Sequence, residues 1–290
     1  MKKVLLTLTI ILLAAFAAAC SSETAETEEG TAGQSQKTIT FGVTPWTSTV
    51  PPTKIAGLIL EDMGYEVKET EADAGSVYMG LSRGDLDVFM DAWVPMHQNY
   101  LDKFEGKIES TAVSYPEADT GWTVPAYMED INSLEDLKGR EGEFNNEFYG
   151  IEKGAGASIE SDEIIEAYEF DFTQVNSSEG GMLAQAQRMM EQEKPVVFYG
   201  WRPHTMFNKF DLKVLTNEKG FFETSSVEVI TNSELKENAP EAYEFLSNWN
   251  ITIDEVEKMI VKIEEGEDPV AVAQEWIDNN PEKVAEMKGE

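Results

Sequence analysis

The two histidines of the chain, His97 and His204, follow the same short pattern of a tryptophan, another residue and a proline. His97 stands in the sequence MDAWVPMHQNY and His204 stands in VFYGWRPHTMF, each soon after an apolar run. The face of a tryptophan ring attracts a cation, and a histidine can donate a hydrogen bond to an anion. The repetition of these residue types predicts two equivalent loops that contribute to one binding site.

The segments that lead into these loops have the same order of strands and helices. In the first, the strand TITFGV is followed by a helix that ends near Gly64, and the later strand LDVFMDAW ends at Trp93. In the second, the strand EFYGI is followed by the glycine-rich loop KGAGAS and two helices, and the strand PVVFYGW ends at Trp201. Strands that alternate with helices indicate βαβ units. The chain is therefore predicted to form two similar α/β lobes, each a mostly parallel sheet flanked by helices.

Four features stand at the carboxyl ends of predicted strands. Trp46 follows the first strand of the first lobe, and Trp93 follows a later strand of the same lobe. In the second lobe, the loop Gly154–Ser158 follows the first strand and Trp201 follows a later one. Ligands of open α/β sheets bind beyond the carboxyl ends of the strands. We therefore expect all four features to face one cleft between the lobes.

The chemistry of these features suits a small zwitterion. A quaternary ammonium group cannot donate N–H hydrogen bonds, so aromatic ring faces recognise it through cation–π attraction, at roughly 0.5–2 kcal/mol for each contact. The glycines of KGAGAS allow close approach of the backbone, and the helix that follows presents free N–H groups to a carboxylate. Either His97 or His204 could donate a further hydrogen bond to that carboxylate.

Five segments resemble one known family: FGVTPWTST, LDVFMDAWVPMH, GIEKGAGAS, FYGWRPHTMF and IVKIEEGEDPVAVAQEWI. The chain resembles the glycine betaine and proline betaine binding lipoproteins of ABC importers, the OpuAC type. The resemblance implies a two-lobed, type II periplasmic-binding-protein-like clamshell. It also implies a solute-binding subunit that closes on a betaine and delivers it to a permease.

By this resemblance, the ligand-binding residues form an aromatic cage and a carboxylate site. The cage comprises Trp46, Trp93 and Trp201, and the carboxylate site comprises the backbone N–H groups of Gly156 and Ala157, the side chain of His97 and, as a lesser candidate, His204. A bulky side chain at Gly156 is expected to block the carboxylate of a betaine. Such a change is expected to affect choline less, because choline has no carboxylate.

The family fold also implies that the chain crosses between the lobes twice. The first crossing is predicted near Thr123–Met128, and the return near Leu215–Val229. The first lobe would then contain residues 37–122 and 229–290, the last stretch being helical, and the second lobe residues 123–228.

The amino-terminal segment has the composition of a targeting signal. Residues 1–19 contain two lysines, an apolar run and then small residues, as a secretory signal peptide does. The ending of this segment, AAAC at residues 17–20, is followed by two serines and resembles a bacterial lipoprotein cleavage site with Cys20 as the lipidated residue. Residues 20–36 have little that can be buried, so they are expected to form a disordered tether. The protein is thus predicted to be extracytoplasmic and lipid-anchored to the outer face of the cell membrane. The alternative is ordinary cleavage, which would leave a secreted protein with a free thiol.

The composition excludes several classes of function. The net charge is −33, from 55 acidic and 22 basic residues, so the chain would repel nucleic acid. One cysteine and two histidines cannot build a zinc cluster, so neither a metal nor a cofactor is predicted. The expected partners are a betaine-type ligand and the permease and ATPase subunits of an importer, with the protein itself a monomer.

Two other classes of protein are alternatives to a solute-binding subunit. The sequence from Gly80 to Gly84, GLSRG, matches the G-x-S-x-G of serine hydrolases. That motif requires a strand before it and a helix after it, and the predicted order is reversed, which favours a protein without catalysis. A tethered sensor of betaine or choline would need only the same clamshell and stays open. The sequence also leaves open whether the ligand is glycine betaine, proline betaine, carnitine or choline.

Overall fold

The computed structural model describes residues 37–290. The predicted signal peptide 1–19, Cys20 and the tether 20–36 lie outside the described residues. The described residues form two five-stranded sheets flanked by helices, which confirms the predicted α/β fold with two lobes. Among residues 37–290, each helix is too short or too polar to cross a membrane.

Ten strands and eleven α-helices make up the described residues. In chain order, the strands are β1 (Thr38–Val43), β2 (Glu66–Glu71), β3 (Val88–Val94), β4 (Ile108–Ala118), β5 (Thr120–Pro125), β6 (Glu147–Gly150), β7 (Thr173–Asn176), β8 (Phe198–Trp201), β9 (Leu212–Val214) and β10 (Ser225–Asn232). The α-helices are α1 (Val50–Asp62), α2 (Ala74–Arg83), α3 (Gln98–Lys103), α4 (Gly156–Tyr168), α5 (Glu179–Met190), α6 (Met206–Lys209), α7 (Leu235–Asn238), α8 (Pro240–Ser247), α9 (Ile253–Glu264), α10 (Pro269–Asn279) and α11 (Pro281–Lys288).

The two sheets have the same topology. The first has the strand order β2-β1-β3-β10-β4 and the second has the order β7-β6-β8-β5-β9. In each sheet the first three strands are parallel, and the last two pairings are antiparallel. The sheets are therefore mixed rather than mostly parallel. The antiparallel strands are those that carry the chain from one sheet to the other, and they have no βαβ signature in the sequence.

The crossings between the sheets differ in place from the predicted ones. Strand β4 ends at Ala118 in the first sheet, and β5 begins at Thr120 in the second. Residues 120–122, which the sequence assigned to the first lobe, therefore pair within the second sheet. Likewise residues 225–228 of β10 pair within the first sheet. We propose that the first lobe comprises residues 37–118 and 225–290, because α10 packs on α1 and both α8 and α9 pack on β4.

Each lobe is built on a buried aromatic and aliphatic core. In the first lobe, Phe41 and Phe89 are fully buried on adjacent strands. In the second, the indole of Trp122 stacks on Phe148, with the ring centroids 3.9 Å apart. This packing fixes the sheets rigidly, so the loops at the strand ends are held in defined positions.

Candidate functional site

The loops at the strand ends form one pocket between the two lobes. All of the predicted ligand-binding residues except His204 line it. The first lobe contributes Trp46, Ser48, Trp93, Met96 and His97, and the second contributes Ile151, Ala155, Gly156, Ala157, Tyr199 and Trp201. The space available to the centre of a water molecule is only about 20 Å³, so the pocket suits a compact ligand.

Three tryptophan side chains form the aromatic part of the pocket wall. Trp46, Trp93 and Trp201 are 5%, 4% and 3% exposed, so water is largely removed from them. Trp201 stacks on Tyr199, with centroids 5.3 Å apart, and Trp46 lies near the ring of His97. Among the ring contacts of the described residues, none joins two of these three indoles. The parts of the indoles that line the pocket are therefore not covered by one another, and cation–π attraction is stronger where water is excluded.

Carboxylates hold two of these indoles from behind. The Nε1–H of Trp93 donates to Asp91 at 3.1 Å, and the Nε1–H of Trp46 donates to Glu152 at 2.7 Å. Asp91 also accepts hydrogen bonds from the hydroxyls of Ser48 and Thr49, both at 2.7 Å. The two hydroxyl bonds connect β3 with the short 3-10 helix Thr47–Thr49 that follows Trp46.

Burial changes the acidity of both carboxyl groups. It raises the pKa of Asp91 to about 6, although the hydrogen bonds from Ser48, Thr49 and Trp93 act in the opposite direction. Burial also raises the pKa of Glu152, and the nearby carboxylate of Glu179 adds to the rise for both groups. Negative charges therefore repel one another behind the aromatic wall, and a cation in the pocket would relieve that repulsion.

The opposite wall is the amino terminus of α4. The first N–H groups of a helix have no partner inside it, and in α4 they belong to Gly156 and Ala157. Ala155, the residue before them, has no polar side chain that could cap them. Other helices of the second lobe and of the carboxyl-terminal region are capped, for example α5 by Ser178 and α9 by Thr252. An uncapped helix amino terminus of this kind has the N–H groups and the dipole that favour an anion.

His97 lies at the junction of the two walls. Its Nδ1 accepts from the backbone N–H of Trp93 and from the hydroxyl of Tyr78, each at 3.2 Å. Burial lowers the pKa of His97 to about 3, so the ring is neutral at neutral pH. A neutral ring that accepts at Nδ1 carries its proton on Nε2, which is thus a hydrogen-bond donor.

His204 is placed differently from His97. Its Nδ1 accepts from the backbone N–H of Met206 at 2.9 Å, so Nε2 carries the proton and donates to Glu179 at 3.0 Å. The ring lies edge-on behind Trp201, with centroids 4.7 Å apart, and does not line the pocket. The interpretation of His204 as a ligand-binding residue is therefore not supported. The reason is spacing, because one residue separates proline from His97 but none separates proline from His204, although both loops contain a cis proline.

The lobes contact each other around the pocket. The backbone N–H of Thr47 donates to Glu179 at 3.0 Å, and the hydroxyl of Tyr100 donates to the carbonyl of Gly154 at 3.0 Å. On the other side, an ion pair of 2.7 Å joins Arg202 to Glu257 in α9, and the side chains of Thr205 and Lys209 both contact Glu264 in the same helix. The structure therefore shows a closed arrangement of the two lobes.

Gly156 lies where the lobes come closest. A Cβ at this position would be 2.7 Å from Cγ of Met96 and 2.9 Å from Cδ2 of His97, both in the opposite lobe. It would also lie 3.1 Å from the backbone oxygen of Met96. Glycine is thus required for contact between the lobes as well as for access to the N–H groups of α4.

The GLSRG sequence does not form a nucleophile elbow. Its serine, Ser82, lies in the last turn of α2 and donates to the carbonyl of Met79 at 2.9 Å. A strand follows this helix, as the sequence predicted. The position of Ser82 therefore gives no support to the hydrolase alternative.

Three acidic residues near the pocket, Asp91, Glu152 and Glu179, were not predicted from the sequence. Asp91 could have been recognised, because it is the one polar residue in the apolar strand VFMDAWV. A charged residue at such a position must find partners when the strand is buried. The other two have no comparable local signal, since they are acids in loops and helix ends of an acidic chain.

Two packed α/β lobes with an aromatic pocket between them define a type II periplasmic-binding-protein fold. The chain belongs to the OpuAC family, the substrate binding domain of ABC-type glycine betaine transport systems, whose family model matches residues 37–279.

Individual relatives agree with this assignment. The chain is 35% identical over 147 residues to the glycine betaine/carnitine transport binding protein GbuC of Listeria monocytogenes, a stretch that covers 49% of each protein. It thus matches about half the length of that curated relative. Among solved structures, it is similar to lactococcal OpuAC in its closed-liganded conformation with glycine betaine, at 30% identity and a TM-score of 0.82, covering 87% of this chain and 99% of that one. It is also similar to an ABC-transporter choline binding protein in complex with choline, at 26% identity and a TM-score of 0.83, covering 87% and 92%.

Proposed function

We propose that this protein is the extracytoplasmic solute-binding subunit of an ABC importer and that it captures a quaternary ammonium osmoprotectant, glycine betaine or proline betaine. The observation that carries the proposal is one pocket that joins three buried indoles to the uncapped amino terminus of a helix. A positive group without N–H donors suits the indoles, and a carboxylate suits the helix terminus. Glycine betaine and proline betaine have both groups a few atoms apart.

In this proposal the two ends of the ligand are bound by different loops. The ammonium group lies among Trp46, Trp93 and Trp201, while the carboxylate accepts from the N–H groups of Gly156 and Ala157 and from Nε2 of His97. All six of these residues line the pocket. Binding holds the lobes together, and the closed form docks on the permease. The protein performs no catalysis.

The segment before residue 37 completes the proposal. Cleavage of the signal peptide would leave Cys20 as a lipidated first residue and residues 20–36 as a tether to the membrane. The described part would then act as a monomer close to the permease and ATPase subunits. The family assignment to transport systems favours an importer subunit over a tethered sensor of betaine or choline.

A calorimetric panel tests the proposed ligand. The purified protein is titrated with glycine betaine, proline betaine, carnitine and choline, and we expect the two betaines to bind most tightly. Tightest binding of choline would show that the carboxylate site contributes little. The absence of heat with all four compounds would refute the proposal. Uptake of labelled betaine by cells with and without the protein separates an importer subunit from a sensor.

Substitution of His97 should distinguish ligands that have a carboxylate from those that lack one. We expect His97→Ala to weaken glycine betaine binding by about 1.5–3 kcal/mol, because it removes one hydrogen bond to a charged group. Choline binding, measured in the same titrations, should change much less. Equal losses for both ligands would mean that His97 shapes the pocket through Tyr78 and the backbone of Trp93 and does not contact the carboxylate.

Substitution of Cys20 tests the proposed anchor. We expect Cys20→Ala to release the protein into the medium or to leave its signal peptide uncleaved, because the lipid-bearing sulfur is absent. Fractionation of cells into membrane and medium measures this. Mass spectrometry of the wild-type protein provides the control, and a mature protein with an unmodified Cys20 would contradict the anchor.

A further inference from the structure

Two indoles of the pocket donate a hydrogen bond to a carboxylate, which is not needed for a ring face to bind a cation. Each donates its Nε1–H to a carboxylate: Trp93 to Asp91, two residues earlier on β3, and Trp46 to Glu152 in the other lobe. Asp91 is fully buried, and Glu152 is partly buried, with its Oε2 buried and unpaired among the described residues. A neutral acceptor such as a backbone carbonyl or an amide would hold an indole N–H equally well in geometric terms.

We propose that Asp91 and Glu152 make the pocket selective for a cation over a neutral group of the same shape. This inference rests on the proposed function, since it concerns the same ligand. Negative charge at the indole N–H increases the electron density of the ring, and it also attracts the ammonium group directly through a medium of low dielectric constant. The indoles alone would accept any apolar group of the right size, because burial of apolar surface does not depend on charge.

The position of the carboxylates agrees with this role. Asp91 lies directly behind the pocket-lining residues Trp93 and Ser48, which both bond to it. Glu152 lies behind Trp46, on the other lobe, so its bond forms across the cleft. The anionic groups therefore lie behind the aromatic wall in both lobes, while the amino terminus of α4 suits the opposite charge at the other end of the ligand.

Asp91 also has a structural role, which must be separated from selectivity. It accepts from Ser48 and Thr49 and so fixes the 3-10 helix after Trp46. Support for that helix requires hydrogen-bonding atoms, whereas selectivity requires the charge. The variants Asp91→Asn and Glu152→Gln keep the size and an acceptor oxygen but remove the charge. The hydroxyls of Ser48 and Thr49 can rotate to accept from the new amide.

The test compares two ligands of the same shape. Glycine betaine has a trimethylammonium group, and 3,3-dimethylbutanoate has a neutral tert-butyl group in its place, with the same carboxylate. Calorimetry gives the ratio of their affinities for the wild type and for each variant. We expect each variant to lower this ratio by about tenfold, because a unit charge near the ammonium is removed. If the carboxylates only hold the pocket wall in place, each variant should bind both compounds equally more weakly and leave the ratio unchanged.

A matched control is offered by Asp136. Like Asp91 it accepts three hydrogen bonds, from the N–H of Asn132 and from the N–H and the hydroxyl of Ser133, but these lie away from the pocket. Asp136→Asn should leave the ratio at its wild-type value. If Asp91→Asn fails to fold, Glu152→Gln decides the question alone, because its side chain is partly exposed and accepts one side-chain hydrogen bond.

The outcomes separate this inference from the proposed function. A lower ratio in the charge-removing variants, with an unchanged ratio in Asp136→Asn, would support it. A wild-type protein that prefers glycine betaine, together with variants that keep the same ratio, would overturn the inference and leave the proposed function intact. A wild-type protein that gives no heat with either compound, nor with proline betaine, carnitine or choline, would overturn both.

Discussion

Replacement of Trp93 by alanine should weaken glycine betaine binding by more than about tenfold, or roughly 1.4 kcal/mol. The change removes one ring face from the pocket and also removes the N–H that Asp91 accepts. The carboxylate would remain buried with one partner fewer, so the loss should exceed that of a single cation–π contact. Titration of the variant with glycine betaine and with choline measures the effect, and both ligands should be affected because both have the ammonium group.

Trp276 supplies the control for this prediction. Its side chain is 7% exposed and packs in the carboxyl-terminal helical region, where its Nε1–H donates to Glu255 at 3.2 Å. Trp276→Ala should lower the midpoint of thermal unfolding and leave the dissociation constant of the folded protein close to that of the wild type. An unchanged affinity in Trp93→Ala would place the binding site elsewhere.

The sequence was sufficient to place the aromatic residues because their position follows from a local rule. Trp46, Trp93 and Trp201 each follow an apolar strand, and strand ends of a parallel arrangement meet at one edge of a sheet. The apolar runs themselves were easy to recognise, since β1 and β3 have few polar residues. Neither step requires knowledge of contacts between distant parts of the chain.

The sequence could not show which acids would lie behind the indoles. Trp46 and Glu152 are 106 positions apart, and their contact exists only because two lobes meet. With 55 acidic residues, composition provides no means of choosing Glu152 or Glu179 from the others. The direction of the His204 ring was equally hidden, because it depends on the backbone turn after the proline and on the position of Glu179.

The passage of the chain from one sheet to the other near residue 119 could not be read from the sequence for a related reason. Strands β4 and β5 are separated by Asp119 alone, with no glycine or proline between them. Glycine and proline are the residues that usually mark a turn in a sequence. Only its pairing with β8, in which Trp122 lies opposite Tyr199, and with β9 assigns β5 to the second sheet.

Replacement of Gly156 by alanine should weaken both glycine betaine and choline by more than about tenfold. The sequence alone suggested a different result, in which a larger residue blocks the carboxylate and affects choline less. In the structure, however, the new Cβ would lie 2.7 Å from the side chain of Met96 and 2.9 Å from His97, across the cleft. Contacts this short force the lobes apart, so the aromatic cage would be left incomplete for any ligand.

Gly180 offers the matched control for the effect of an added methyl group. It also lies in the first turn of a helix of the second lobe, α5, but it is exposed and an added Cβ would meet no atom within 4 Å. Gly180→Ala should therefore bind both ligands as the wild type does. In solution scattering, Gly156→Ala with saturating ligand should keep a larger radius of gyration than either the wild type or Gly180→Ala, because its lobes cannot close. Retention of choline affinity in Gly156→Ala would instead show that the residue acts only on the carboxylate, and that closure tolerates a side chain between α4 and the loop of Met96.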